Sequence, residues 1–240
     1  MKTKSIRIII GIVVACCIVY SVIQPYLPTV SYDLGDIPEF DGSAAYVIVN
    51  NNVPFFDEND YTTDPFETYS ELDSLGRCGV AYANVCQELM PTEERESISS
   101  VKPSGWGHNN TYSSIEGGYI WNRCHLIGFQ LAGENANEKN LITGTRYLNI
   151  DGMLDIENKV AEYVEQTGNH VLYRVTPIYD GDNLIADGVL MEGFSVEDNG
   201  AGICFNIYAY NCQPGIEIDY SNGDNWYSEA SDEMTVTYTN

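Results

Sequence analysis

Residues 119–131, "YIWNRCHLIGFQL", form an apolar run that is interrupted by Asn122, Arg123, Cys124 and His125 in succession. A guanidinium, a thiol and an imidazole side by side need a reason, because the chain has only three histidines. Asn140 and Asn149 follow His125 at +15 and +24, and Glu157 lies eight residues beyond Asn149. An imidazole can act as a general base, a guanidinium can hold a phosphate, and amide and carboxylate oxygens are hard ligands suited to Mg²⁺. That set suits phosphodiester hydrolysis. The plain alternative is a structural histidine on a strand, with Asn and Glu on a solvated helical face, and the spacing alone is compatible with both.

Stepping from these residues to the elements that carry them, the pattern predicts a strand through 119–129, a polar turn "GENANEKN" and a short strand "NLITG". A helix follows in "RYLNIDGMLDIENKVAEYVEQTG", where Ile156, Val160, Tyr163 and Val164 recur at helical spacing before Gly168 stops it. Asn149 and Glu157 then lie about two turns apart on one helix face. Successive strand residues point to opposite faces, so Arg123 and His125 share one face and Cys124 takes the other. This alternation argues against a Cys124–His125 nucleophile pair.

Three more strands, "HVLYRVTPIYD", "LIADGVLMEGFSV" and "GICFNIYAYNC", show period-two apolar sets and predict an antiparallel meander. An earlier strand is expected in "AAYVIVNNNVPFF"; "ETYSELDSLGRCGVAYANVCQELM" mixes turn and strand signals, and "PTEERESISSVKPSGWGHNNTY" reads as a polar loop.

The N-terminus is a separate object. Lys2, Lys4 and Arg7 precede the uncharged apolar run 8–23, which Gln24-Pro25 ends. The first reading is a signal-anchor with its cationic end in the cytoplasm; a cleaved signal peptide and lipidation at Cys16 are the alternatives. All three put the remainder outside the cytoplasm, either on the cell membrane or secreted. The expected organisation is therefore a targeting segment at 1–25, a Pro-containing linker at 26–44 and one domain at 45–240.

The net charge is −24, and three of the eleven basic residues lie in the first seven positions. Eight Lys and Arg against 35 Asp and Glu leave −27 for the rest. A field of that size repels polyanions on average, so any nucleic-acid chemistry needs a local explanation. All eight cations lie between Arg77 and Arg174, with Arg123, Lys139, Arg146 and Lys159 around the opening motif. No helix-turn-helix or zinc-finger pattern is present to read a base sequence.

"WNRCHLIGFQLAGENANEKNLITGTRYLN" resembles the core of the DNA/RNA non-specific endonuclease family, in the bacterial branch similar to membrane-anchored DNA-entry nucleases. The family signature is Asp-Arg-Gly-His at a strand end, and Asn122-Arg123-Cys124-His125 occupies those places. The resemblance extends from about Leu75-Gly76-Arg77 through "VKPSGW" to "QPGIEIDYSNG". It implies an α+β fold with a ββα-metal core: a mainly antiparallel sheet and a metal-binding helix around one divalent cation, Mg²⁺ with Mn²⁺ as a substitute.

Carried over residue by residue, His125 is the general base and Asn149 the protein ligand of Mg²⁺. Asn140 belongs to the active-site shell, Glu157 orients metal-bound water, and Arg123 is the signature arginine. Arg77 and Arg146 are candidate substrate-binding cations. The implied reaction is cleavage of DNA, and RNA as a second substrate, without sequence specificity and with 5′-phosphate ends. The alternative is a catalytically weak, surface-anchored binding or adhesion module on the same fold, favoured by the acidity and by Asn122, which stands where the signature has a carboxylate.

Five cysteines lie beyond the apolar run, and an odd count leaves at least one free or paired elsewhere. Cys124 is expected to be buried or bonded to a cysteine such as Cys78, and Cys86 with Cys212 is another candidate bridge. With no Cys-x-x-Cys or His-x-x-x-His pair, a structural zinc site is not expected. His108 reads as a loop residue, His170 as the ordinary start of a strand, and the tail "SEASDEMTVTYTN" as solvated or a last strand.

Overall fold

The β-branched and aromatic runs of the second half assemble into the central sheet. In a computed structural model, which describes residues 37–107 and 109–228, six strands pair antiparallel throughout: β1 (Tyr46–Ile48), β2 (Phe66–Tyr69), β3 (Ala81–Val85), β6 (Val171–Ile178), β7 (Gly188–Ser195) and β8 (Cys204–Tyr210). Their spatial order is β1-β8-β7-β6-β3-β2. The predicted meander is β6–β7–β8, in register with Val175 opposite Met191 and Met191 opposite Ile207.

One face of this sheet carries Ala81, Ala83, Val85, Val171, Tyr173, Val175, Met191 and Ile207, which pack against the helical layer. The other face is not uniformly apolar. There Arg174 and Glu192, directly opposite in the register, form a fully buried pair with Nε to Oε2 at 2.7 Å. The Arg174 guanidinium lies over the Phe56 ring at 4.7 Å.

Two short elements lie outside the main sheet. β4 (Trp121–His125) and β5 (Leu141–Thr145) form their own antiparallel hairpin, and β9 (Ile216–Ile218) pairs with β10 (Asn225–Tyr227). The strand predicted through residue 129 ends at His125, and a helical turn, α1 (Phe129–Ala132), replaces its last part. Asn140 explains the stop. Its amide accepts from Ile127 N–H at 2.9 Å and donates to Ile127 C=O at 3.0 Å, which takes both backbone groups out of any ladder.

After β5 the chain winds as a π-helix over Leu148–Leu154 before the regular helix α2 (Asp155–Thr167). The predicted helix is thus two helices of different pitch. α2 buries Ile156, Val160, Ala161 and Val164 against the sheet, each large apolar chain stabilising by roughly 1.5–3 kcal/mol. It ends where Gly168 adopts a left-handed φ of 72° and its N–H caps Val164 C=O. Hairpin and helix in succession give the expected ββα arrangement within an α+β, mainly antiparallel fold.

The five cysteines 78, 86, 124, 204 and 212 are all free thiols, so neither candidate disulfide forms. Cys78 instead points at the carbonyls of Leu141 and Glu138, and Cys124 is enclosed in the core. The targeting segment, most of the linker, His108 and the acidic tail lie outside the described residues. No helix among the described residues is long and apolar enough to cross a membrane.

Candidate active site

Along β4, Cys124 is the side chain turned away from the cleft. Trp121, Arg123 and His125 line a cleft of about 500 Å³, while Cys124 is fully buried behind them. Asn149, from the π-helical turn, and Glu157, from the first turn of α2, line the same cleft, as do Arg146, Asn122 and Arg95.

His125 is fixed by the turn that follows α1. Its Nε2 lies 2.9 Å from the backbone oxygen of Asn135. A carbonyl can only accept, so Nε2 carries the proton and Nδ1 keeps the lone pair. Arg95 Nη2 lies 3.4 Å from Nδ1. The Asn135 side chain accepts the Glu96 N–H at 2.9 Å, so one residue sets both the histidine tautomer and the approach of the Arg95 loop. Burial, with Arg95 adding to it, lowers the His125 pKa, which makes the neutral base its resting form.

Glu157 is almost fully buried, and burial pushes its carboxyl up to about 7, against the opposing pull of Gln130 and Arg95. Gln130 Nε2 donates to Oε2 at 3.1 Å. A Cβ at position 128 would stand 2.8 Å from this carboxylate, so Gly128 leaves the room it occupies. The amide oxygen of Asn149 and the carboxylate of Glu157 are hard donors in a cleft without a thiol, and a buried carboxylate with so few donors favours a cationic partner. The donor set fits a hard divalent cation.

Residues 58–196, more than half of the chain, match the DNA/RNA non-specific endonuclease family. The chain belongs to that family. No curated protein sequence is similar enough to count as a relative. Among solved structures, the chain is similar to NucA from Streptococcus agalactiae with magnesium ion bound, at 25% identity and TM-score 0.67, covering 75% of this chain and 86% of that one. It is also similar to Sda1 nuclease with bound zinc ion, at 26% identity and TM-score 0.62, covering 77% and 97%. An extracellular endonuclease at 19% identity and TM-score 0.55 shares the fold. The protein is therefore a metal-dependent endonuclease whose substrate is nucleic acid and whose cofactor is a divalent cation.

Not every predicted site residue reaches the cleft of this endonuclease. Asn140 is fully buried, with its amide committed to Ile127, so it shapes the turn after β4 and does not face the cleft. Arg77 also lies elsewhere: Nε pairs with Asp73 at 2.7 Å and Nη1 donates to the carbonyls of Gly181 and Asn183. Arg123 lines the cleft, yet it donates to the backbone oxygens of Val101 and Ser99 and stacks 4.0 Å over Trp106. It thereby ties β4 to the loop before it. Arg146 faces the cleft with a loose contact to Glu116 at 3.8 Å and a buried Nε that finds no partner among the described residues.

Sequence reasoning missed Arg95 and Gln130. Arg95 stands in the acidic loop "TEERES", where a single cation has no period or motif to mark it. Its approach to His125 Nδ1 at 3.4 Å shows where it is aimed.

Proposed function

We propose that this protein is an extracytoplasmic, Mg²⁺-dependent, sugar-non-specific endonuclease that cleaves DNA, and RNA as a second substrate, leaving 5′-phosphate ends. The observation that carries the reading is the His125 tautomer: a neutral imidazole whose Nδ1 lone pair stands beside Arg95 in the cleft that holds Asn149 and Glu157.

The strand carrying the scissile phosphate lies along the Arg95–Arg146 side of the cleft, where the guanidinium groups meet its oxygens. His125 Nδ1 removes a proton from the attacking water, and the carbonyl of Asn135 steadies the imidazolium that results, through Nε2–H. Asn149 would hold the cation, with Glu157 orienting nearby water. Mg²⁺ there would neutralise charge developing on the phosphate and on the departing 3′-oxygen. Contacts limited to phosphate and sugar carry no base information, which accounts for cleavage without sequence preference.

The proposed organisation keeps a targeting segment at 1–25, a linker at 26–44 and the nuclease domain at 45–240, with a tether or export signal placing the domain outside the cytoplasm. The test is plasmid cleavage by the purified full chain. Mg²⁺ should support nicking and linearisation, chelation should stop both, and the ends should ligate without prior phosphorylation. His125→Ala should lower the rate by about 10²–10⁴ with an unchanged circular dichroism spectrum. Full activity in that variant would sink the assignment, and DNA binding without cleavage by the wild type would favour the binding-module reading.

A further inference from the structure

Cys86 directly follows β3 and His170 directly precedes β6. Those strands pair with Val85 opposite Val171, so one step past the end of the ladder the register sets Cys86 opposite His170. Directly opposed residues have Cβ atoms about 4.5–5.5 Å apart, close enough for both side chains to reach one ion. Glu88 sits in the turn that Leu89 N–H closes onto Cys86 C=O at 3.1 Å. One sulfur, one carboxylate oxygen and one ring nitrogen from Cys86, Glu88 and His170 all lie within 4.8 Å of one another.

The histidine is held from behind. Its Nδ1 is 2.6 Å from Glu197 Oε1, and Glu197 Oε2 accepts the His170 backbone N–H at 2.8 Å. A carboxylate at Nδ1 makes that nitrogen the donor and leaves the Nε2 lone pair for a ligand, the arrangement by which metal-binding histidines are usually oriented. Val196 N–H to His170 C=O at 2.9 Å fixes the backbone as well. Cys86 closes the inner side completely, while Glu88 is exposed and its carboxylate accepts a hydrogen bond from the Cys86 thiol.

Thiolate, imidazole and carboxylate together suit a borderline-soft ion in tetrahedral geometry, unlike the oxygen-rich catalytic cleft. We propose that Cys86, Glu88 and His170 bind a zinc-class divalent cation at a second site, which pins the end of β3 to the start of β6. The ligands come from segments far apart in the chain and joined only by strand register, so no short Cys or His spacing announces them. The same turn leads into the loop that carries Arg95, and Gln87 within it donates to the carbonyls of Val164 and Glu165 at the end of α2. An ion at this point would anchor the root of that loop.

Co²⁺ is the probe, because a thiolate–cobalt charge-transfer band in the near ultraviolet arises only where sulfur ligates the ion. The full chain, reduced, free of any affinity tag and stripped with chelator, is titrated with Co²⁺. One equivalent should bring up the band, Zn²⁺ should bleach it and excess Mg²⁺ should not. Cys86→Ser should abolish the band, whereas Asn149→Ala should leave it, because no cysteine lines the catalytic cleft. Glu88→Gln changes an exposed side chain without disturbing the fold and should weaken Co²⁺ binding at least tenfold, so the proposal stays testable even if Cys86→Ser folds poorly. The absence of a band in the wild type, its survival in Cys86→Ser, or a Glu88→Gln titration identical to wild type would each overturn the proposal.

Discussion

His125 depends on two neighbours with opposite chemistry. The Asn135 carbonyl assigns the proton to Nε2, and burial together with Arg95 keeps the ring neutral at Nδ1. Because the shift is downward from the ordinary value near 6.5, the base is available at neutral pH and is lost only as acid protonates it. At saturating Mg²⁺, kcat/KM should therefore fall as pH drops through a midpoint below about 6.5, and His125→Ala should flatten that limb along with lowering the rate. A wild-type limb centred well above 7 would contradict the assignment. Glu157 makes the converse prediction. Its carboxyl, pushed up to about 7 by burial, must be ionised to meet a cation, so Mg²⁺ affinity should rise with pH through that value. Calorimetric titrations on either side of neutrality should show the rise in wild type and its absence in Glu157→Gln.

At the scale of elements, the site depends on a hairpin packed tightly enough to need glycine. Cys124 and Gly144 are diagonal neighbours across β4 and β5, and a Cβ at 144 would collide with Cys124 Sγ and stand 3.0 Å from its Cβ. Gly144→Ala should cost about 1–3 kcal/mol by overpacking, read as a lowered Tm in thermal unfolding. Removing the sulfur in a Gly144→Ala/Cys124→Ala double variant should restore part of the loss, and additive losses would show that the clash is not the cause. How far these elements could be read from the chain follows the range of the forces that set them. β6, β7 and β8 announce themselves because alternate residues face one buried layer, and α2 because Ile156, Val160 and Val164 recur along one side. The end of β4 was not legible, since it depends on the Asn140 amide reaching back to Ile127. Nor was the π-helical turn that presents Asn149, whose residues carry no periodicity of their own. Arg123 and His125 were placed on one face by alternation alone, but Arg95 needed a tertiary contact to be seen. The Cys86–His170 juxtaposition needed the register of two strands distant in sequence.

For the whole molecule, the problem is that a chain of net charge −24 must accept a polyanion. Two of the lysines are neutralised locally: Lys139 pairs with Glu71 at 2.6 Å and Lys159 with Asp155 at 2.6 Å. Arg95 makes no ion pair among the described residues, and Arg146 touches Glu116 only at 3.8 Å, so these two face the phosphate, while Arg123 beside them is held by the Val101 and Ser99 carbonyls. Two fields of different range then act on the substrate. The acidic surface repels DNA over the Debye length, about 30 Å at 0.01 M salt and about 10 Å at 0.1 M, whereas the arginines act at contact. Raising salt from the lower value first removes the long-range repulsion and only later weakens the short-range attraction. At constant Mg²⁺, kcat/KM for plasmid cleavage should therefore pass through a maximum as monovalent salt rises. Beyond the maximum, two phosphate contacts limit the logarithmic slope to about −2. Arg95→Ala should make that limb shallower by about one unit, besides lowering the rate. A steep monotonic fall from the lowest salt, as expected for a nuclease with a broad basic face, would mean that the cleft arginines are not what overcomes the acidic surface.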